Sequence, residues 1–162
     1  MLMPAETQLG LIMGKWELFV DGASNSKGSG VGIVLVSPEG LVLEQAVLLK
    51  FSTSNNEAEY EALLIGLKTA KKLSASHLQV FCDSQLVANQ ISGKYQARDE
   101  RMLAYLTVAQ SLLAEFDSTH VAQIGREHNS HADILAKLAT ALESDIQKTI
   151  CIETLDQRSF QN

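Results

Sequence analysis

Asp21 and Asp83 sit in matching contexts, Phe19-Val20-Asp21 and Phe81-Cys82-Asp83, each closing a short apolar run. At the carboxyl end of a strand in an α/β sheet, a carboxylate stands where ligands gather. Each also has an ordinary alternative as a turn former or helix cap. Glu59 is harder to place structurally. On a helical wheel it shares a side with Ala62, Leu63, Gly66, Ala70 and Leu73. Glu57, Glu61, Lys68, Lys71 and Lys72 gather instead on what reads as a solvated face. An acid on the core-facing side is costly unless paired, bound to a metal or able to snorkel to water. Asp133 falls one turn into a last helix, beside Ala132, Leu135, Ala136 and Ala139. The positive end of that helix would by itself favour its charge. Brought onto one face, these four carboxylates make an all-oxygen site for hard cations such as Mg2+ or Mn2+. Two such ions about 4 Å apart clamp the attacking and leaving oxygens of a phosphoryl transfer.

The elements that must position these acids can be read from periodicity. Trp16, Leu18 and Val20 alternate with Glu17, Phe19 and Asp21, the period of a half-buried strand. Gly22 to Gly30 is a turn-forming stretch, Val31 to Val36 is β-branched, Pro38-Glu39-Gly40 closes it, and Leu41 to Lys50 is a third run. These predict an antiparallel meander. Ser54-Asn55-Asn56-Glu57 has the form of a capping box, opening a helix to about Leu73. His77 to Cys82 reads as a strand, followed by helices at about 84–91 and 99–116, with Gly93 between them. Leu103, Leu106, Leu112 and Leu113 assign the second of these to the core. Trp16, Tyr60 and Tyr105 are read as packing residues. Thr119 to Gly125 is a last strand, and Asn129 is a good N-cap for a helix to about Leu142. The order β-β-β-α-β-α-α-β-α closes naturally as a hairpin sheet extended by parallel strands with crossover helices. Residues 1–14 read as a leader or linker, 15–143 as one domain, and 144–162 as a tail with a short isolated strand at Thr149–Ile152.

Composition limits the function classes. The 162 residues carry 13 Lys and Arg against 19 Asp and Glu, for a net charge of −6. The 46% hydrophobic content excludes a wholly disordered chain. No apolar run approaches the roughly 18 residues of a membrane span, so no membrane partner is expected. Two cysteines make no disulfide framework and fit a reducing, intracellular compartment, cytoplasmic or nuclear. An acidic balance usually argues against nucleic acid. Here residues 15–142 hold 14 acids and 11 bases, and the balance becomes +1 once the four proposed ligands are set aside. A nucleic-acid substrate therefore stays open, with little long-range steering.

Four blocks in order now carry a resemblance: Phe19-Val20-Asp21-Gly22-Ala23-Ser24, Asn55-Asn56-Glu57-Ala58-Glu59-Tyr60-Glu61-Ala62-Leu63, Cys82-Asp83-Ser84-Gln85-Leu86-Val87, and Arg126 through Ala136, Arg-Glu-His-Asn-Ser-His-Ala-Asp-Ile-Leu-Ala. Over residues 15–143 the chain resembles type I ribonuclease H, and most of all the RNase H domain of plant Ty3/gypsy-type LTR retrotransposon polyproteins. The resemblance implies an RNase H-like α/β fold. Its mixed five-stranded sheet would have three antiparallel strands extended by two parallel ones, with helices on both faces. It implies that Asp21, Glu59, Asp83 and Asp133 are catalytic and hold two Mg2+ ions, with Mn2+ as a substitute. The implied reaction is hydrolysis of the RNA strand of an RNA–DNA hybrid. Asn55 and Asn56 match the pair that reads the hybrid's minor groove, Gln85 the glutamine beside the third acid, and Asn25 is a looser match. Short amides suit this task because the 2′-OH both donates and accepts. Capping explains Asn55 and Asn56 equally well.

Two departures from the family pattern matter. Cellular members often place a His on a flexible loop before the last Asp; here Arg126 and His128 are the nearby auxiliary candidates, and neither aligns cleanly with it. A Lys/Arg- and Trp-rich protrusion is also missing, since residues 93–101 mix three bases with two acids. Weak hybrid affinity in isolation follows, because phosphate contacts dominate affinity. A neighbouring reverse transcriptase domain in a polyprotein would raise effective concentration. The chain is expected to be a monomer. The alternative reading is a catalytically inactive hybrid-binding or scaffolding module derived from a retroelement. A third is an exonuclease on the same fold.

Overall fold

The computed structural model describes residues 14–26, 28–141 and 153–161. Five strands and four helices follow the expected order: β1 (Lys15–Asn25), β2 (Gly28–Val36), β3 (Val42–Leu49), α1 (Asn55–Lys72), β4 (His77–Cys82), α2 (Gln85–Ser92), α3 (Glu100–Leu113), β5 (Ser118–Gln123) and α4 (Ser130–Ala141). A 3-10 turn, Arg126–His128, precedes α4. A sixth strand, β6 (Glu153–Leu155), completes the sheet.

The strand order is β5-β4-β1-β2-β3-β6. β1, β2 and β3 form the antiparallel meander, while β4 runs parallel to β1 and β5 parallel to β4. The expected five strands become six because β6 adds in parallel to β3, with Val47 opposite Glu153 and Leu49 opposite Leu155. Such an addition is invisible to local periodicity, since its bonding partners lie about a hundred residues upstream. Within the stretch read as a tail, residues 153–155 thus pair at the edge of the sheet, and Ser159 and Phe160 contact α1 and α3. The strand expected at Thr149–Ile152, Cys151 and the leader up to residue 13 lie outside the described residues.

Alternation decides which face each strand buries. Leu18 and Val20 of β1, with Val31, Ile33 and Leu35 of β2, are at most 1% exposed and pack toward α1. Gly66 lets that helix lie close, since a Cβ there would sit 3.0 Å from Leu18. The opposite face of β2 carries Gly32, where a Cβ would fall 1.9 Å from the Ala132 carbonyl oxygen. The backbone of α4 therefore rests directly on β2, through the fully buried Ala132, Ala136 and Ala139. Helices accordingly cover both faces.

Most of the stretch read as a turn, Gly22 to Gly30, is paired strand, because β1 continues to Asn25 and β2 begins at Gly28; other local signals held. Ser54 and Glu57 form the capping box, with Glu57 N donating to Ser54 Oγ at 3.2 Å and Ser54 N to Glu57 Oε1 at 2.9 Å. Gly93 ends α2 in the left-handed conformation, at φ 87°. Tyr60 and Tyr105 are fully buried and stacked, with ring centroids 5.6 Å apart. Leu103 departs from its expected core role and is 52% exposed. Glu57 and Glu61 depart more consequentially. Read as solvated, they are 6% and 0% exposed. Arg101 and the C-terminal segment supply partners that a helical wheel cannot show.

Candidate active site

Asp21 and Asp83 reach the same end of the sheet because β1 and β4 run parallel as neighbours, with Phe19 opposite Phe81. Asp21 lies within β1 and is 4% exposed. Asp83 follows the last residue of β4. It does not cap α2: Ser84 does, accepting from Val87 N at 3.2 Å, which leaves the Asp83 carboxylate available.

Glu59 comes to them through Gly22. A Cβ at Gly22 would lie 2.2 Å from the Ala58 carbonyl carbon and oxygen, so only glycine lets β1 and the first turn of α1 approach this closely. The bare Gly22 N–H donates to Glu59 Oε1 at 2.6 Å. Asp21, Glu59 and Asp83 each offer an oxygen within 4.8 Å of the others. Glu59 Oε2 is buried without a hydrogen-bond partner. A buried carboxylate oxygen left unpaired is costly, and a cation would satisfy it.

Asp133, near the start of α4, lines the same pocket but stands outside the group of three whose oxygens lie within 4.8 Å of one another. It also pairs with Lys137 at 3.0 Å. Lys137 was not singled out from the sequence, although its i+4 spacing from Asp133 is the signal that places the two side chains together.

The four acids line one open pocket of 450 Å3 with Gly22, Ser24, Asn55, Asn56, Ser84, Gln85, Arg126 and Lys137. Among the expected substrate contacts, Asn55, Asn56 and Gln85 are therefore at the acids. Asn56 Oδ1 accepts from Ser84 Oγ at 3.5 Å. Asn25 lies just outside, lining an adjoining polar groove with Ser24, Ser29 and Thr53. Arg126 and His128 separate. Arg126 lies in the pocket with Nε 3.9 Å from Asp83 Oδ2. His128 lines a different, more apolar groove beside Phe19 and Val34.

The electrostatics are those of acids crowded in a partly dry site. Burial, then the adjoining Glu59 carboxyl, pushes Asp21 up to about 10. Burial pushes Glu59 up to about 7, against the lowering effect of the adjoining Asp21 carboxyl and the Gly22 N–H. Burial also raises Asp83, despite the nearby Arg126 charge. At Asp133 burial acts in the same sense but is outweighed, mainly by the hydrogen bond from Lys137, and its carboxyl stays below the usual range. Burial and crowding favour the protonated forms of Asp21 and Glu59, and a bound cation would favour their ionised, ligating forms. The all-oxygen donor set suits Mg2+ or Mn2+.

Comparison with known proteins agrees with this geometry. The family described as Reverse transcriptase-like matches residues 19–139. The chain is 33% identical over 128 residues to the protein named Ribonuclease HI of Halobacterium salinarum, covering 78% of this chain and 64% of that one. It is 31% identical over 144 residues to a bifunctional protein of Mycobacterium tuberculosis, covering 83% of this chain and 40% of that one. It thus spans less than two thirds of either relative. The crystal structure of the halobacterial RNase H1 superposes with a TM-score of 0.74 at 32% identity, over 79% of this chain and 98% of that one. LC11-RNase H1, solved in complex with an RNA/DNA hybrid, superposes at 0.68 with 25% identity, over 75% and 94%. The chain belongs to the reverse transcriptase-like family of ribonuclease H-fold domains.

Proposed function

We propose that this chain is a divalent-metal-dependent endoribonuclease that hydrolyses the RNA strand of RNA–DNA hybrids. The observation that carries the reading is the convergence of Asp21, Glu59 and Asp83 within 4.8 Å, with Glu59 Oε2 buried and unpaired. The relatives support it: one is named a ribonuclease HI and another was crystallised with a hybrid.

Asp21, Glu59, Asp83 and Asp133 would hold two ions, which supply a nucleophile at neutral pH and charge stabilisation at the leaving oxygen. The chain's own residues do the rest. Gly22 N–H fixes the rotamer of Glu59. Asn55 and Asn56, on the first turn of α1, present amides to the 2′-OH groups of the strand to be cut, and Gln85 approaches from the start of α2. Asn25 extends this contact along the adjoining groove. Arg126 and Lys137 place cations beside Asp83 and Asp133, where the substrate phosphate enters an otherwise anionic pocket. Arg126 is thereby favoured over His128 as the auxiliary residue.

The motif strings favour an origin in an LTR retrotransposon polyprotein, with a reverse transcriptase domain as neighbour; the domain itself is proposed to act as a monomer. The reading is tested with a labelled hybrid in Mg2+ or Mn2+, with EDTA, duplex DNA, duplex RNA and Asp83→Asn as controls. Internal cuts in the RNA strand alone, abolished by EDTA and by the substitution, are expected. Hybrid binding without cleavage in either metal would replace this reading with the non-catalytic module.

A further inference from the structure

The three acids at the start of α1 divide between two roles. Glu59 joins the candidate site. Glu57 and Glu61, on either side of it, are held by residues of the C-terminal segment that follows β6. Ser159 donates through N and Oγ to the two oxygens of Glu61, at 3.0 and 2.5 Å, and Tyr105 adds its hydroxyl at 2.6 Å. Phe160 packs edge-on against Tyr105. This end of the contact faces the core and does not line the acidic pocket.

Arg158 does something else. Its Nη2 donates to the Ser52 carbonyl at 2.6 Å, and its guanidinium lies 4.9 Å from the Phe51 ring centroid. Its Nε is buried, 3.6 Å from Glu57 Oε2, and its side chain is only 16% exposed. Lys50 N donates to Leu155 O at 2.9 Å at the start of the same loop. The loop from Lys50 to Ser54 is thus gripped from the C-terminal side by Leu155 and Arg158. From the other side, Ser24 Oγ donates to Thr53 O at 2.8 Å, and Ser29 Oγ bonds Thr53 Oγ1 at 2.7 Å.

That loop leads directly into Asn55 and Asn56, the first two residues of α1. A helix start frays unless its free N–H groups are satisfied. Here the capping box depends on Glu57, whose carboxylate is held in turn by Arg101 at 3.1 Å and by Arg158. A small displacement of groups that orient substrate costs far more than the contact itself suggests.

We infer that Arg158 is a positioning residue for the substrate-facing amides Asn55 and Asn56, setting the KM for the hybrid by holding the loop 50–54 and the first turn of α1. The inference rests on the hybrid-cleaving reading for its kinetic consequence, but not for the contact itself.

The test compares Arg158→Ala, Arg158→Lys and Ser159→Ala in the full chain, by cleavage kinetics and by amide hydrogen exchange. Arg158→Ala should raise KM about tenfold while kcat changes less than about twofold. It should speed exchange across residues 50–57 and leave β1 and β4 unchanged. Arg158→Lys, which keeps a cation beside Glu57, should recover part of the KM. Ser159→Ala removes the Oγ half of the neighbouring anchor on Glu61, leaving its N–H bond, and should lower Tm with KM unchanged. An unchanged KM and unchanged exchange in Arg158→Ala would overturn the inference. So would Ser159→Ala raising KM as much, since the effect would then belong to loss of the segment as a whole. Should the parent chain cleave no hybrid, the proposed function fails separately, and exchange at 50–57 still decides whether Arg158 holds this loop.

Discussion

The side-chain amide of Asn129 donates to the main-chain carbonyl of Val20 at 2.9 Å, across 109 positions of sequence. Val20 immediately precedes Asp21, and Asp133 N bonds back to the Asn129 carbonyl at 3.1 Å. One buried amide therefore couples the strand carrying one acid to the helix carrying another. The residue type that predicts a helix cap serves here as a cross-link between two elements.

Asn129→Ala should destabilise the protein by about 1 kcal/mol. The loss stays at the low end because the substitution also removes Oδ1, which is buried without a partner. Urea unfolding measures it. Stability equal to the parent would show that the Val20 carbonyl finds another donor and that the link is dispensable.

Gly32→Ala should be more severe. The added methyl would meet the Ala132 carbonyl oxygen at 1.9 Å, and that atom belongs to helix backbone which has no room to yield locally. The whole of α4 must shift, carrying Asp133 with it. A loss of roughly 1–3 kcal/mol is expected, together with a fall in cleavage rate measured well below Tm. A variant that unfolds as the parent does would contradict the close helix–sheet contact.

The metal-free protein should lose stability as pH rises. Asp21 and Glu59 are raised, mainly by burial, from ordinary values of 3.8 and 4.5 to about 10 and about 7. The folded state thus holds protons that the unfolded chain releases. Their contribution is complete below the unfolded values. It is lost through 7 for Glu59 and on toward 10 for Asp21. Asp21→Asn removes the charge without the volume and should stabilise the metal-free protein near pH 8 by on the order of 1–3 kcal/mol. Mg2+ should raise the parent's Tm more near pH 8 than near pH 6, because it competes with those protons. Thermal scans across pH, with EDTA and with Mg2+, provide the measurement. A flat metal-free profile, with no gain from Asp21→Asn, would refute the crowding of these acids.

Much of the site was legible in the chain alone. Asp21 and Asp83 could be recognised because each ends an apolar run of strand period, and Glu59 because it breaks the small-residue face of a helix. Those are local patterns, and local patterns survive folding when the partner element is sequential or parallel. The meander, the capping box at Ser54 and the stop at Gly93 were legible for the same reason.

Glu57 and Glu61 show the limit. Periodicity placed them in water because it sees only their own helix. Tertiary structure buried them because Arg101, Tyr105, Arg158 and Ser159 arrive from 44 to about 100 positions away and supply partners for their carboxyl oxygens. The parting of Arg126 from His128 was likewise decided in three dimensions, by the 3-10 turn that sends the two side chains into different grooves. Sequence by itself determined which acids stand where structure does not want them. Tertiary structure decided which of the remaining charges find partners, because pairing depends on distances that only the closed sheet creates.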